Sequence, residues 1–361
     1  MSKKFIIIIG IIISIIVIGA IIAIIIVFAT KNDDKDDKKH NIDIDDTAGS
    51  SDSTSSSDKT DNTDETDNTD KNDNTDKTDN PRDYHNNYII SEKIAILNNG
   101  IKMPIIGLGT WTLSNDEAEE SVYAAIKEGY RLIDTAEYYR DEVGVGKGVK
   151  KSIEEGIIKR EDVFITTKIM PGAYSNPDMA IEDSLKNLDV DYIDLMLIHQ
   201  PGSNDEKVYK SMEKYYRNGK LKSIGISNYY TKNQVDKVLS FATITPAIIQ
   251  NENHIYYQNN ELQEYVRNYG IIIESWYPFG GRGHTSENFN NEVIVSLANK
   301  YKKTSAQIIL RWNLQAEYIV IPGSKNPDHI KENYNIFDFE LSSEDMEKIY
   351  NINKNQRYEN W

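Results

Sequence analysis

The stretch Tyr130-Arg-Leu-Ile-Asp134-Thr-Ala-Glu-Tyr-Tyr139 runs an apolar pair, Leu132-Ile133, directly into an aspartate and then into two tyrosines. The pattern recurs twice downstream. Val163-Phe-Ile-Thr-Thr ends on Lys168, and Tyr192-Ile-Asp-Leu-Met-Leu-Ile198 ends on His199. Short apolar runs bounded by polar residues read as buried strands. Here each run delivers one chemically useful group at its C-terminal end.

Working outward, the same rhythm spans the chain from about Tyr88 onward. Ile94–Leu97 and Ile101–Met103 flank Asn98-Asn-Gly100, a strong hairpin signal. Pro104–Gly109 reads as a first barrel strand, with a helix over Asp116–Glu128 for which Asn115 is a candidate cap. Arg131–Asp134, Val163–Lys168 and Tyr192–His199 follow as strands two to four. Helices are expected near 142–155, 177–187 and 205–217. Ser223–Ser227, Ala247–Gln250, Ile271–Trp276 and Tyr318–Ile321 complete eight strands, and helices near 291–301, 305–315, 327–334 and 342–352 end the chain. Strands alternating with helices argue for a parallel sheet closed as a (β/α)8 barrel. A doubly wound sheet is the rival, but Gly107-Leu-Gly109 is followed by Thr110-Trp111-Thr112, without the third glycine of a dinucleotide-binding turn. In a barrel, Asp134, Lys168, His199, Asn228, Gln250 and Trp276 fall at six consecutive strand ends on one rim.

The segments before residue 88 are of other kinds. Phe5 to Ala29 is an apolar, isoleucine-rich run of 25 residues with one polar side chain, Ser14. As a helix it reaches about 37 Å, longer than the roughly 30 Å hydrocarbon layer. Residues 1–30 therefore read as a single-pass transmembrane anchor. A cleavable signal peptide ending at Val27-Phe-Ala29 is the alternative. Lysines flank both ends (Lys3 and Lys4 before; Lys31, Lys35, Lys38 and Lys39 after), and their balance favours a cytoplasmic C-terminal side. Residues 31–87 read as a disordered, acidic Asp/Asn/Thr-rich linker with almost nothing to bury. Its 31–83 stretch carries 18 acidic and 8 basic side chains, hence −10. The total of −16, less that −10 and the +2 of Lys3 and Lys4, leaves −8 on residues 84–361. Such a charge argues against a nucleic-acid partner. The absence of cysteine excludes disulfides, thiolate catalysis and Cys-based metal sites.

The rim groups suggest one chemistry. A phenol is a poor acid near neutrality unless a cation favours the phenolate, and a carboxylate keeps that cation charged. Asp134, Lys168 and a tyrosine of the Tyr138-Tyr139 pair form such a relay toward a carbonyl oxygen. His199 is placed to hydrogen-bond the same oxygen. No Gly-x-Ser-x-Gly elbow, paired catalytic carboxylates or histidine-rich metal cluster competes, so no metal is expected. The matching hydride must come from a cofactor.

Residues 92–361 resemble the aldo-keto reductase family, with a bacterial, 2,5-diketo-D-gluconate reductase-like cast. Gly129-Tyr-Arg-Leu-Ile-Asp-Thr-Ala-Glu-Tyr-Tyr139 followed by Glu142-Val-Gly144 is similar to its first signature. Thr167-Lys168 and Leu197-Ile-His199 resemble its lysine and histidine strand ends. Gly219-Lys-Leu-Lys-Ser-Ile-Gly-Ile-Ser-Asn228 resembles its central signature, and Ile321-Pro-Gly-Ser324 through Ile330-Lys-Glu-Asn333 its cofactor motif. The resemblance implies a tetrad of Asp134, Tyr139, Lys168 and His199, choosing Tyr139 over Tyr138. It implies an NADP(H) site with Ser227, Asn228 and Gln250 at the nicotinamide carboxamide and Trp276 stacked on its ring. Ser324 and His329 would lie near the adenosine 2′-phosphate, and Glu332 and Asn333 near adenine. Gly109 and Thr110 would line the cofactor, while Trp111, Tyr174 and Trp361 would wall a pocket for a small carbonyl substrate. Where the family commonly has lysine and arginine around the 2′-phosphate, this chain has Gly323 and His329. An imidazole does not match a bidentate guanidinium, so acceptance of NAD(H) alongside NADP(H) is expected, with Lys325 as a compensating cation. The barrel is expected to be monomeric. The anchor opens a second reading, a redox-sensing regulatory subunit of a membrane complex.

Overall fold

The computed structural model describes residues 87–360. The apolar run 5–29, the 31–83 stretch and Trp361 lie outside the described residues, along with the expectations of an anchor, a disordered tether and a pocket-lining Trp361. Among the described residues, no helix is long and apolar enough to cross a membrane.

Three short antiparallel strands come first: β1 (Tyr88–Ile89), β2 (Ile94–Ile96) and β3 (Lys102–Pro104). Gly100 sits at φ 86° in the β2–β3 turn, a conformation glycine adopts at no steric cost. The turn's asparagines reach under the barrel. Asn98 donates to Pro246 O at 2.9 Å, and Asn99 donates to Lys222 O at 3.0 Å, next to the N-terminal ends of two barrel strands. The hairpin thus closes the end of the barrel opposite the strands' C-termini.

The barrel strands are β4 (Leu108–Gly109), β5 (Leu132–Asp134), β6 (Phe164–Ile169), β7 (Ile193–Ile198), β8 (Leu221–Ser227), β9 (Ile248–Glu252), β10 (Ile272–Trp276) and β11 (Ile319–Val320). Each pairs in parallel with its sequence neighbours, without a reversal of order. The doubly wound alternative is therefore excluded. The first and last strands meet: Ile106 bridges Val320 and Gly109 bridges Gly323, with Gly107 N donating to Val320 O at 2.8 Å. Both glycines are needed at this seam. A Cβ on Gly109 would stand 2.7 Å from Ile321 O, and one on Gly323 2.9 Å from Gly109 O.

Helices cover the outside: α1 (Asn115–Glu128), α2 (Glu142–Glu154), α3 (Pro177–Asn187), α4 (Asp205–Arg217), α5 (Lys232–Phe241), α6 (Asn260–Arg267), α7 (Thr285–Phe289), α8 (Glu292–Tyr301), α9 (Ser305–Gln315), α10 (Pro327–Tyr334) and α11 (Ser343–Tyr350). The cap of α1 is Ser114, not Asn115. Ser114 accepts from Glu117 N, and the Glu117 carboxylate accepts from Ser114 N, forming a capping box. Asn115 instead joins two helices, accepting from Gly144 N at 2.8 Å and donating to Arg140 O at 3.0 Å. That contact steadies the turn from β5 to α2, which carries the tyrosines.

Candidate active site

Register and burial bring the rim groups together. Leu132 and Ile133 are buried, and Asp134 ends their strand inside the barrel. The chain then makes a single turn of 3-10 helix, Glu137–Tyr139, that stops at Arg140 with φ 59°. This turn swings Tyr139 back over Asp134. Lys168, on β6, is fully buried, and its ammonium donates to Asp134 Oδ1 at 2.7 Å, to Thr135 O at 2.8 Å and to the Tyr139 hydroxyl at 3.3 Å. The second oxygen, Asp134 Oδ2, accepts from Gln250 Nε2 at 2.7 Å. The Tyr139 and His199 rings meet edge to face at 5.7 Å, and Trp111 leans on Tyr139 at 4.8 Å.

The charge states follow from these contacts. Both Asp134 oxygens act as acceptors, so the carboxylate carries no proton, although burial pushes its pKa up against the pull of Lys168 and Gln250. Burial alone would lower the Lys168 pKa, but Asp134 and Tyr139 overcome it, and the ammonium ends above its ordinary value. The expectation that Lys168 makes Tyr139 a stronger acid in the resting site is corrected. Burial dominates and lifts the phenol to about 12, with Lys168 recovering only part of the rise. Tyr139 is therefore a fully protonated phenol at neutral pH. His199 is driven well below its ordinary value by burial and then by Lys168, so its ring is neutral. Its Nδ1 is buried without a partner, which leaves Nε2 as the nitrogen toward the open side.

These groups stand at one end of a cleft of about 410 Å³. Of the anticipated residues, Gly109, Trp111, Asp134, Tyr139, His199, Ser227, Asn228, Gln250, Trp276 and Ser324 line it. Lys168 lies behind Asp134 and Tyr139. Thr110 is buried, with its N–H and hydroxyl both donating to Asp134 O, and holds the strand end from behind. Tyr174 does not wall the cleft. It is buried beside Gly202, and its hydroxyl donates to Gln200 O at 2.5 Å. His329, Glu332 and Asn333 stand on α10, outside the cleft lining, where Glu332 accepts from the Thr304 hydroxyl at 2.8 Å. Lys325 lines the far end, paired with Glu117 at 2.8 Å.

Four wall residues stand beyond the strand ends, all but Tyr277 inside the loops 170–176 and 279–290 that the family resemblance marks for specificity: Met170, Tyr277, Phe279 and Arg282. The last three lie in the loop after β10. Tyr277 at φ 53° and glycines 280, 281 and 283, all at positive φ, give it a left-handed path. The cluster Gly280-Gly-Arg-Gly283 was the available signal. Tyr358 pins this loop from the chain's end, stacked between His284 (3.6 Å) and His254 (4.4 Å). Glu252 accepts the backbone N–H groups of Tyr358 and Glu359 at 2.6 and 3.1 Å.

The cleft suits a flat ring bearing an amide. Trp276 supplies an aromatic wall whose Nε1 is buried without a partner. Asn228, held at φ 67° with its amide donating to His199 O at 2.8 Å, and the neighbouring Ser227 form a rigid polar floor. The Gln250 nitrogen is spent on Asp134 and on Glu274 (2.8 Å), leaving its oxygen for the cleft. Among the described residues no cluster of metal-ligating side chains occurs.

Comparisons with known proteins agree with this geometry. The profile of the Aldo/keto reductase family matches residues 105–354. The glyoxal reductase of Bacillus subtilis is 43% identical over 265 residues, covering 72% of this chain and 93% of that protein. An NAD(P)H-dependent D-xylose reductase of Candida tropicalis is 36% identical over 301 residues, covering 73% and 93%. The crystal structure of MGS-M4, an aldo-keto reductase from a deep-sea metagenome library, superposes with a TM-score of 0.71 at 37% identity, covering 74% of this chain and 97% of that one.

Proposed function

The chain belongs to the aldo/keto reductase family, and from that premise we propose that it is an NAD(P)H-dependent oxidoreductase that reduces a small aldehyde or ketone to the alcohol. The observation that carries this reading is the Tyr139 hydroxyl. It is a protonated phenol facing the cleft, 3.3 Å from an ammonium that is itself anchored to Asp134. The cofactor supplies the hydride when bound. Ser227, Asn228, Gln250 and Trp276 are the residues to hold its ring, with Gly109 alongside, Ser324 and Lys325 toward its phosphates, and His329, Glu332 and Asn333 toward its adenosine end.

The side chains divide the remaining work. Tyr139 gives its proton to the carbonyl oxygen, and Lys168 stabilises the phenolate left behind. Asp134 keeps Lys168 charged while the site is closed to water. His199, neutral, directs an Nε2–H at the same oxygen and fixes the carbonyl's orientation. Trp111 and Tyr138, stacked at 5.8 Å, wall the substrate side. The relatives named for glyoxal and D-xylose reduction support small, hydrophilic carbonyl substrates. The 2,5-diketo-D-gluconate reductase-like subtype stays our expectation within that class.

The pairing of Lys325 with Glu117, and a glycine at position 323, support a weak hold on a 2′-phosphate and hence use of both NADPH and NADH. We place the chain at a membrane through residues 5–29, single-pass, with a monomeric barrel on the cytoplasmic side, where reduced nucleotide is plentiful. Protease cleavage of the 31–83 stretch in intact cells would reverse that side.

The test is Tyr139→Phe, assayed against a carbonyl panel with NADPH and NADH in parallel. The expected outcome is a loss of kcat of about 10²–10⁴-fold with nucleotide binding retained. Undiminished turnover in Tyr139→Phe would overturn the assignment. Tight nucleotide binding with no turnover of any substrate by the unmodified chain would favour the redox-sensing subunit instead.

A further inference from the structure

Glu274 is a fully buried carboxyl inside the barrel that the proposed chemistry does not use. Its position is set by register. On adjacent strands β9 and β10, Gln250 is the direct partner of Glu274, so both side chains point to the same face at the same height. Gln250 is in turn the partner of Ser227 on β8, at the cleft floor. The Gln250 amide nitrogen donates one hydrogen to Asp134 Oδ2 at 2.7 Å and the other to Glu274 Oε2 at 2.8 Å. Because Asp134 is an ionised acceptor there, the atom facing it must be the nitrogen, and the amide orientation is unambiguous.

Glu274 Oε1, by contrast, is buried with no partner. Charge bookkeeping explains it. The titratable groups that face Glu274 are Asp134 and Lys168, already matched one to one. A second ionised carboxylate in this dry interior would be uncompensated, so Glu274 keeps its proton on Oε1. Burial, and then the Asp134 charge, raise its pKa to about 8.

We propose that Glu274 is a positioning residue of the ligand site: by taking the second N–H of Gln250, it locks that amide with its carbonyl oxygen presented to the cleft as a fixed acceptor. With both N–H groups spent on carboxyls behind the floor, Gln250 is selective for a ligand group that donates, such as a primary carboxamide. It disfavours a carboxylate or ester in the same place. The inference rests on the nucleotide reading above and adds to it a residue that touches neither substrate nor cofactor.

The experiment titrates NADPH, NADH and nicotinic acid adenine dinucleotide phosphate, the carboxylate analogue of NADP, into the full-length chain while tryptophan fluorescence is followed. It compares Glu274→Gln, Glu274→Leu and Glu274→Asp. Glu274→Gln, which still accepts the Gln250 N–H, is expected to bind NADPH within about twofold of the parent, as a partner swap that keeps the hydrogen bond should. Glu274→Leu leaves the amide held by Asp134 alone, free to swing about that one hydrogen bond, and a roughly tenfold rise in the NADPH Kd is expected, with discrimination against the carboxylate analogue reduced. Glu274→Asp is too short to reach Gln250 and gives the same rise where Glu274→Leu fails to fold. The KM for the carbonyl substrate should not move in any folded variant. Parent-like NADPH binding and discrimination in a folded Leu or Asp variant would overturn the inference and leave the reductase reading intact. An unmodified chain that binds neither NADPH nor NADH would overturn both.

Discussion

Removing the Lys168 ammonium without changing its volume much, by Lys168→Met, strikes the buried centre of the site. Asp134 is 2% exposed and Lys168 0%, and the ammonium makes three hydrogen bonds, at 2.7, 2.8 and 3.3 Å. Once it is gone, Asp134 retains only the Gln250 amide, and the Thr135 carbonyl loses its buried donor. Breaking a buried ion pair from one side costs ~3–5 kcal/mol. For a folded unit of this size, at the low end of about 2 °C per kcal/mol, the melting temperature should fall by ~6–10 °C. Asp134→Asn should cost a comparable amount, since it leaves the ammonium buried with neutral partners. The double variant Lys168→Met/Asp134→Asn removes both charges together and should recover ~1–3 kcal/mol relative to the sum of the single losses. The assay is urea unfolding at neutral pH, followed by circular dichroism for the parent and all three variants. Single losses that add to within ~0.5 kcal/mol would refute the coupled pair. A Lys168→Met urea midpoint unchanged from the parent would refute its burial energetics.

Two further outcomes follow from contacts around the cleft. Glu117→Gln keeps the α1 capping box but frees Lys325. NADPH should then gain ~2–5-fold over NADH at low salt, with the gain fading in high salt as exposed charges are screened. A preference that does not move would remove Lys325 from the phosphate site. Asp141 is fully buried, with Oδ1 accepting from the Thr135 hydroxyl at 2.6 Å and Oδ2 unpartnered. Burial lifts its carboxyl to about 6, against the hydrogen bond from Thr135 and the charge of Lys168. Its folded pKa lies above the unfolded one, so its stabilising contribution is complete below about 4 and is lost as pH rises through about 6. Asp141→Asn, neutral at every pH, should therefore gain on the parent by on the order of 1–3 kcal/mol between pH 4 and 7. Melts at pH 4.5 and 7.5 with an unchanged gap would contradict the buried acid.

The eight strands were legible because a parallel barrel strand is buried on both faces and reads as an unbroken apolar run. Val163–Lys168 and Tyr192–His199 also ended on the proposed catalytic groups, and the parallel pairing of β6 with β7 sets Lys168 and His199 at the same end of the barrel. Helices α5, α6 and α7 went unread. α5 had a visible signal, the capping box Thr231-x-x-Gln234, but α6 is short and mostly polar. Asn115 seemed a cap because Asn and Ser are near-equal capping residues, and only the Ser114–Glu117 reciprocity separates them. Tyr139's protonation could not be read from neighbours alone. Lys168 and Asp134 were visible, but the burial that outweighs them is a property of three dimensions. Tyr174 misled for a related reason. An aromatic at a strand-end loop can face the cleft or the barrel wall, and the Gln200 carbonyl turned it inward. Arg282 and Tyr277 lie beyond any strand end, where backbone handedness rather than hydrophobic periodicity decides what points inward.

The seam at Gly109 and Gly323 has a consequence for the protein's birth. All four proposed catalytic groups have been added to the growing chain by His199, yet the strand that closes the ring comes much later. Until Ile319–Gly323 emerge, β4 presents an unpaired parallel edge, the kind of edge that recruits foreign strands. A message truncated between His199 and that point yields a chain with every reactive group and no vessel for them. Competence arrives in a single late step, when the newest strand finds the oldest.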